Sequence, residues 1–205
     1  MDLCTQLRAA TDPVHAAVEA LPLARAMAAG TVARDEYVVL LRHLLAAHRA
    51  WEGEAALTPA CAPVWTDRMA RADVIEGDLA ALGTDPTPAA HPAVDIWLAS
   101  LRERAEVRPE VWLGVVYLFE GSRMGSMALL RPVSRALGVA PAPGQGVDYH
   151  LDGIADRVPR WQRLKAVFNA LPLSPEQQKA AVWGAVATFQ MLGAVYAAPV
   201  PAPAA

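Results

Sequence analysis

The sequence predicts an all-α protein, and three observations carry that expectation. Strand-like alternation is rare, and Ala, Leu, Arg and Glu outweigh β-branched runs. Apolar residues recur at helical spacing. The breaks between such segments fall at Pro, Gly and capping residues. The expected architecture is one domain over residues 1–198 with about seven or eight helices, then a loose Pro/Ala tail over 199–205.

Near the amino end, Asp12 can cap and Pro13 can start a new turn, or Pro13 can kink one continuous helix; both stay open. Thr31 or Asp35 can cap a helix running to about Leu57, which Thr58-Pro59 ends. Within it Leu40, Leu41, Leu44, Leu45 and His48 form one apolar face, with Arg42, Arg49 and Glu52 largely off its centre. A helix fits residues 66–82, closed by Gly83. Residues 84–88 are a loop, and 95–106 a short helix. Pro109 can begin a long helix that stops at Gly138. Pro132 should bend or end it. Residues 140–146, rich in Pro and Gly, are a loop. Ser174 and Gln177 have capping-box spacing and start the last helix.

Composition removes several classes of function. The 205 residues carry 18 Lys and Arg against 21 Asp and Glu, a formal charge of −3, and 54 % are hydrophobic. That balance argues against a disordered chain and against a general nucleic-acid binder, which needs excess positive charge. Cys4 and Cys61 cannot form a disulfide framework, so nothing points to an oxidising compartment. The first residues lack the apolar core of a signal peptide. Residues 180–198 are uncharged and of marginal length for a membrane span, but Ala dominates and Gly184 and Gly193 interrupt. A buried core helix is the expectation, in a cytoplasmic protein without membrane or nucleic-acid partners.

The candidate chemistry is sparse. The five histidines, His15, His43, His48, His91 and His150, include no H-E-x-x-H pair, and His43 and His48 are five apart, so a two-histidine zinc site is not expected. No phosphate-binding glycine loop and no G-x-S-x-G elbow occur. One oddity stands out: Gly121 and Gly125, one turn apart, lie inside the long apolar helix. Each interior glycine costs about 1 kcal/mol relative to alanine. Either another helix packs closely there, or a flat ligand lies against the bare backbone. His15 is a surface or core histidine, or a neutral imidazole ligand to iron.

Three separated segments together resemble the haem oxygenases, the bacterial biliverdin-producing type above all, including those that supply bacterial phytochromes. They are Leu7-Arg8-Ala9-Ala10-Thr11 with His15 and Glu19, the run from Trp112 to Gly125, and Gly184-Ala185-Val186-Ala187-Thr188-Phe189. The resemblance runs from about Leu3 to Tyr196. It implies haem as both substrate and cofactor, opened by O2 and electrons from an external donor to biliverdin, CO and Fe(II). It implies His15 as the proximal iron ligand and the helix with Gly121, Ser122 and Gly125 as the distal wall. Arg8 and Lys165 match cations that pair with the haem propionates, with solvated surface as the alternative, and Phe189 and Tyr196 match residues lining the haem edge, with ordinary core as the alternative. Glu19 matches a glutamate that orients the proximal ring, with a plain surface contact as the alternative. A ferredoxin or other reductase is the implied donor, and a bacterial phytochrome a possible recipient of biliverdin.

There are departures. Ser126 stands where many members have a second glycine, and Ser122 where the mammalian type has an aspartate that organises water. A hydroxyl holds water without a carboxylate's charge, so a different water network is implied. Asp12 occupies a position that is basic in the family. Arg123 has no evident role. Two other functions compete: a haem-binding carrier or sensor without turnover, and the thiamin-degrading and di-iron relatives of the scaffold. For the last, no Glu-x-x-His pair occurs around Glu19, Glu52 or Glu120.

Overall fold

The structure, a computed structural model, describes residues 1–198; the tail expected over 199–205 lies outside the described residues. It contains nine α-helices and no strand among those residues: α1 (Leu3–Glu19), α2 (Pro22–Ala29), α3 (Arg34–Leu57), α4 (Ala72–Ala81), α5 (Pro92–Ala105), α6 (Val111–Leu137), α7 (Asp148–Leu151), α8 (Arg157–Ala170) and α9 (Pro175–Ala197). Two 3-10 turns, Pro59–Cys61 and Asp67–Met69, join α3 to α4. The all-α class is as expected. The count exceeds seven or eight because α2 and the one-turn α7 carry no long apolar periodicity.

The strongest packing joins α6 to α9, and α1 also packs on α9. Glycines permit the approach. A Cβ on Gly114 of α6 would run into the Ala181 carbonyl of α9, and a Cβ on Gly184 of α9 would run into the Val111 carbonyl of α6. The two backbones touch where neither helix has a side chain. Thr188, one turn past Gly184, donates to the Gly184 carbonyl (2.7 Å) and accepts from the Trp97 indole of α5 (3.2 Å). Part of the apolar surface that raised the membrane question on α9 faces other helices: Ala181, Ala185, Met191 and Val195 are all buried. Beside this pair, Trp51 of α3 stacks on Phe119 of α6 with centroids 4.9 Å apart.

Pro13 sits inside a continuous α1, capped by Asp2, which accepts from the Thr5 N–H (2.8 Å). Asp12 is not a cap; its carboxylate lies 3.8 Å from Arg8. Pro132 does not end α6, which runs on to Leu137 before Gly138 takes φ 68°. Neither Thr31 nor Asp35 caps α3. Ala33 is the cap residue, and the Glu36 carboxylate accepts from its N–H (2.9 Å). Helix α5 starts three residues early because the His91 ring accepts from the Ala93 N–H (3.1 Å) and Pro92 needs no donor.

Two expectations fail for one reason. Glu52 is not off the buried face: it is 9 % exposed, one turn past His48 on the same stripe. The helix expected over 66–82 is broken before Ala72. The Glu52 carboxylate accepts from the Arg71 N–H (2.6 Å) and the Ala72 N–H (3.4 Å), so a side chain from α3 supplies the first turn of α4 with its acceptor.

Gly184→Ala is expected to lower stability by about 3 kcal/mol or more, because the methyl group meets backbone that cannot swing aside. Gly193→Ala is the control: its added carbon would meet only a Val18 methyl at 3.5 Å. That variant should be neutral or up to about 1 kcal/mol more stable through helix propensity. Urea unfolding followed by circular dichroism measures both.

Candidate functional site

Helices α1, α2, α6, α7 and α9 enclose a cavity of about 650 Å³. That lies within the roughly 300–1,000 Å³ of small-molecule sites. His15 of α1 borders it, with half of its side chain exposed and its ring 5.3 Å from the Phe189 ring of α9. Glu19 Oε1 is 3.6 Å from His15 Nε2, beyond hydrogen-bond range, so the pair is an i,i+4 contact. Phe189, Leu192 and Tyr196 line the α9 side. Burial pushes the Tyr196 phenol well up, so it stays protonated.

Helix α6 contributes Gly121, Ser122, Gly125 and Ser126 to the same cavity. The two glycines differ. A Cβ on Gly121 would meet the Trp161 indole of α8 in ordinary contact, at 3.4 Å. Gly125 has nothing within 4 Å of its would-be Cβ, so its backbone lies open to the cavity. The Ser122 hydroxyl turns back and donates to the Phe119 carbonyl (2.8 Å). The Ser126 hydroxyl instead meets Nδ1 of His150 (3.2 Å).

The cations separate. Arg8 borders the main cavity, with its guanidinium facing Asp12. Lys165 does not border it. It lines a neighbouring polar recess of about 580 Å³ that shares Arg8, Tyr117 and Trp161 with the main cavity, and its ammonium lies 5.7 Å from the Trp161 ring centroid. Among the described residues no group of three or more His, Cys, Asp or Glu side chains is placed to hold a metal ion. A planar iron macrocycle fits this donor set: one imidazole at the edge of an apolar slot, and bare backbone on another wall of the same slot.

Sequence reasoning left out the polar structure behind α6. Arg123 is 3 % exposed and pairs with Glu120 (3.1 Å) and Asp152 (2.9 Å). Glu120 also accepts from Arg160 of α8 (2.7 Å), and Arg157 donates to the Arg123 carbonyl (2.7 Å). Arg123 therefore clamps the middle of α6 to α7 and α8. A Glu and an Arg three apart inside an apolar helix were the signal available in the sequence. Deeper lies a second chain: Glu52 to His48 Nδ1 (2.7 Å), and His48 Nε2 to the Tyr149 hydroxyl (3.1 Å). Burial lowers the His48 pKa against the pull of Glu52. Burial first, then the Arg71 and Arg157 charges, push His150 down to about 3.

A proton linkage follows. His150 is neutral in the fold and has an ordinary pKa near 6.5 when unfolded. Its contribution to stability is complete above about pH 6.5 and is lost as pH falls toward 3. Between about pH 6.5 and 5 that amounts to roughly 2 kcal/mol. His150→Phe should flatten that part of the pH dependence. Urea midpoints measured across the range test it, and an unchanged slope contradicts it.

The Heme oxygenase family model matches residues 1–198. Among solved structures, haem oxygenase-1 of the cyanobacterium Synechocystis, determined with haem, superposes with a TM-score of 0.83 at 21 % identity, over 96 % of this chain and 91 % of that one. The haem oxygenase of Leptospira interrogans gives 0.85 at 20 % identity, over 96 % and 99 %. That of Neisseria meningitidis, with NO and CO bound, gives 0.72 at 21 % identity, over 98 % and 96 %. The search of curated proteins found no match. With the helical architecture and the family model in agreement over nearly the whole chain, the chain belongs to the haem oxygenase family of haem-degrading oxidoreductases.

Proposed function

We propose that haem binds in the α1–α6–α9 cavity, with His15 giving its imidazole nitrogen to the iron and the Gly121–Gly125 stretch of α6 lying against the macrocycle. The products are biliverdin, CO and Fe(II). The observation that carries this reading is that His15 and the uncovered backbone of Gly125 border one apolar cavity. When bound, haem supplies the iron that activates O2 against its own ring.

The chain's residues position that substrate. His15 fixes the ring's depth from the α1 side. Phe189, Tyr196 and Trp161 cover apolar ring surface and exclude water. Gly125 leaves room beside its backbone for a small diatomic ligand. Ser122 and Ser126 are the hydroxyls of α6 within that space. Arg8 at the cavity edge and Lys165 in the adjoining recess meet the propionates, each contact contributing under about 1 kcal/mol where water reaches it. Asp12, 3.8 Å from Arg8, offsets part of that attraction.

The reading includes an external donor, a ferredoxin or other reductase, and a bacterial phytochrome as one recipient of biliverdin. It places residues 1–198 as the working domain. The location is cytoplasmic, in keeping with two buried free thiols, Cys4 and Cys61.

Haem titration followed by product identification with reductant and ferredoxin tests the reading. Loss of the Soret band with gain of biliverdin absorbance is the expected result; a stable complex that never bleaches makes the protein a haem carrier instead. His15→Ala should abolish turnover and alter the haem spectrum, and added imidazole should restore both in part. An unchanged spectrum and rate would remove His15 from the ligand role. Gly125→Leu should lower haem affinity or block diatomic binding by at least about tenfold, read by CO titration of the ferrous complex.

A further inference from the structure

We propose that Ser126 and His150 form a hydrogen-bonded diad that presents a neutral hydroxyl donor to an oxygen atom bound in the cavity, with His150 as the positioning residue. The inference rests on the haem site proposed above and adds the group that faces bound oxygen there.

A serine inside a helix ordinarily bonds back to a carbonyl of the preceding turn. Ser122 does so, with its hydroxyl on the Phe119 carbonyl at 2.8 Å. Ser126, one turn later and next to the open backbone of Gly125, makes no such bond among the described residues; its Oγ lies 3.2 Å from His150 Nδ1. Both residues border the cavity. Of the two α6 serines that border the cavity, Ser126 is the one whose hydroxyl its own helix does not hold.

His150 is built to stay in place. It is 2 % exposed, and its ring stacks on Tyr37 of α3 with centroids 5.9 Å apart. Its carbonyl accepts from Arg157 (3.1 Å), and the Tyr149 carbonyl beside it accepts from Arg71 (2.7 Å). The Asp78 carboxylate of α4 accepts the Asp148 and Tyr149 N–H groups (both 2.7 Å). Arg71, Asp78 and Arg157 therefore hold the α7 backbone, and Tyr37 of α3 faces the ring, before any ligand arrives. Burial first, and then the nearby Arg71 and Arg157, oppose a charge on the ring, so one ring nitrogen carries a proton and the other a lone pair. If Nδ1 holds the proton, it donates to Ser126 Oγ, and the serine hydrogen is free for the cavity. His150 Nε2 and the Tyr37 hydroxyl both lack a protein partner, which leaves Nε2 available as an acceptor on its far side.

Long-range ¹H–¹⁵N spectra of histidine-labelled ligand-free protein read the arrangement directly. The expected result is an Nδ1–H tautomer for His150, constant between about pH 5 and 8, with an Nδ1 shift that moves in Ser126→Ala. In the haem-loaded chain, Ser126→Ala and His150→Phe should each slow single-turnover biliverdin formation by about tenfold or more, with haem affinity within about twofold of the parent. The double variant should be no slower than the slower single one, because the two side chains act as a unit. Ser126→Thr should recover most of the rate. If His150→Phe does not fold, the Ala and Thr variants at position 126 decide the matter. An Nε2–H tautomer, a parental rate in Ser126→Ala, or a Thr variant as slow as Ala overturns the diad. A parent chain that degrades no haem overturns the functional reading itself, a result distinct from a parental rate in Ser126→Ala.

Discussion

The structure depends on one close contact: the crossing of α6 and α9, where Gly114 and Gly184 each face the other helix's backbone. Helix packing normally holds axes about 8–10 Å apart, at a distance set by the side chains between them. Removing the side chains on both sides brings these helices to backbone contact and fixes their depth relative to one another. The cavity inherits that depth. Its α6 wall starts three residues past Gly114, at Tyr117, and its α9 wall starts five residues past Gly184, at Phe189. Helix α1, which carries His15, rests on α9. The spacing between the imidazole and the open backbone of Gly125 is thus set in part at a crossing about three turns of α6 away from Gly125.

The second determinant is electrostatic and lies on the far side of α6. Burying Glu120, Arg123 and Arg157 carries a desolvation cost that ion pairing alone does not reliably offset. Here several of the remaining donors meet backbone carbonyls, while the Nε atoms of Arg123 and Arg157 have no protein partner. Arg123 bonds the Arg68 carbonyl (3.1 Å), and Arg157 bonds the Asp152 carbonyl (2.6 Å). Such an arrangement is poor at adding stability and good at specifying position, because charged groups tolerate few alternative partners once buried. It holds the half of α6 that Gly121 and Gly125 would otherwise loosen, and it sets the one-turn α7 against Ser126.

What the sequence made legible follows the range of the interactions. The Ser174–Gln177 capping box, the Gly138 stop and the apolar stripe of α3 as far as His48 are local patterns, and they are present as read. The break before Ala72 is not local, since its cause is a carboxylate about twenty residues earlier in the chain. The site divides in the same way. His15, Gly121, Gly125, Phe189 and Tyr196 come together around one cavity, and the resemblance of whole segments located them. Lys165 belongs to a side recess, and Trp161 packs beside Gly121; neither was legible, because the register of α8 against α6 leaves no trace in either helix's own periodicity. Ser126 read as a departure from a glycine; its partner His150 lies 24 residues on, in a helix too short to announce itself.

Under the proposed function, the charge distribution suits an amphipathic planar guest. Within the cavity the polar groups of α6 are neutral hydroxyls, and the charged partners of that helix lie behind it, 3–6 % exposed. The cations open to a ligand sit where water reaches: Arg8 is 80 % exposed in its side chain, and Lys165 lines the more polar recess. An unpaired charge inside the slot would carry a desolvation penalty of several kcal/mol, whereas a carboxylate left in solvent beside Arg8 carries almost none. A ring system with acidic side arms therefore has one favourable orientation, ring inward and acids outward. The weakness of each surface ion pair is then no obstacle, because the cost of burying the acids does most of the orienting.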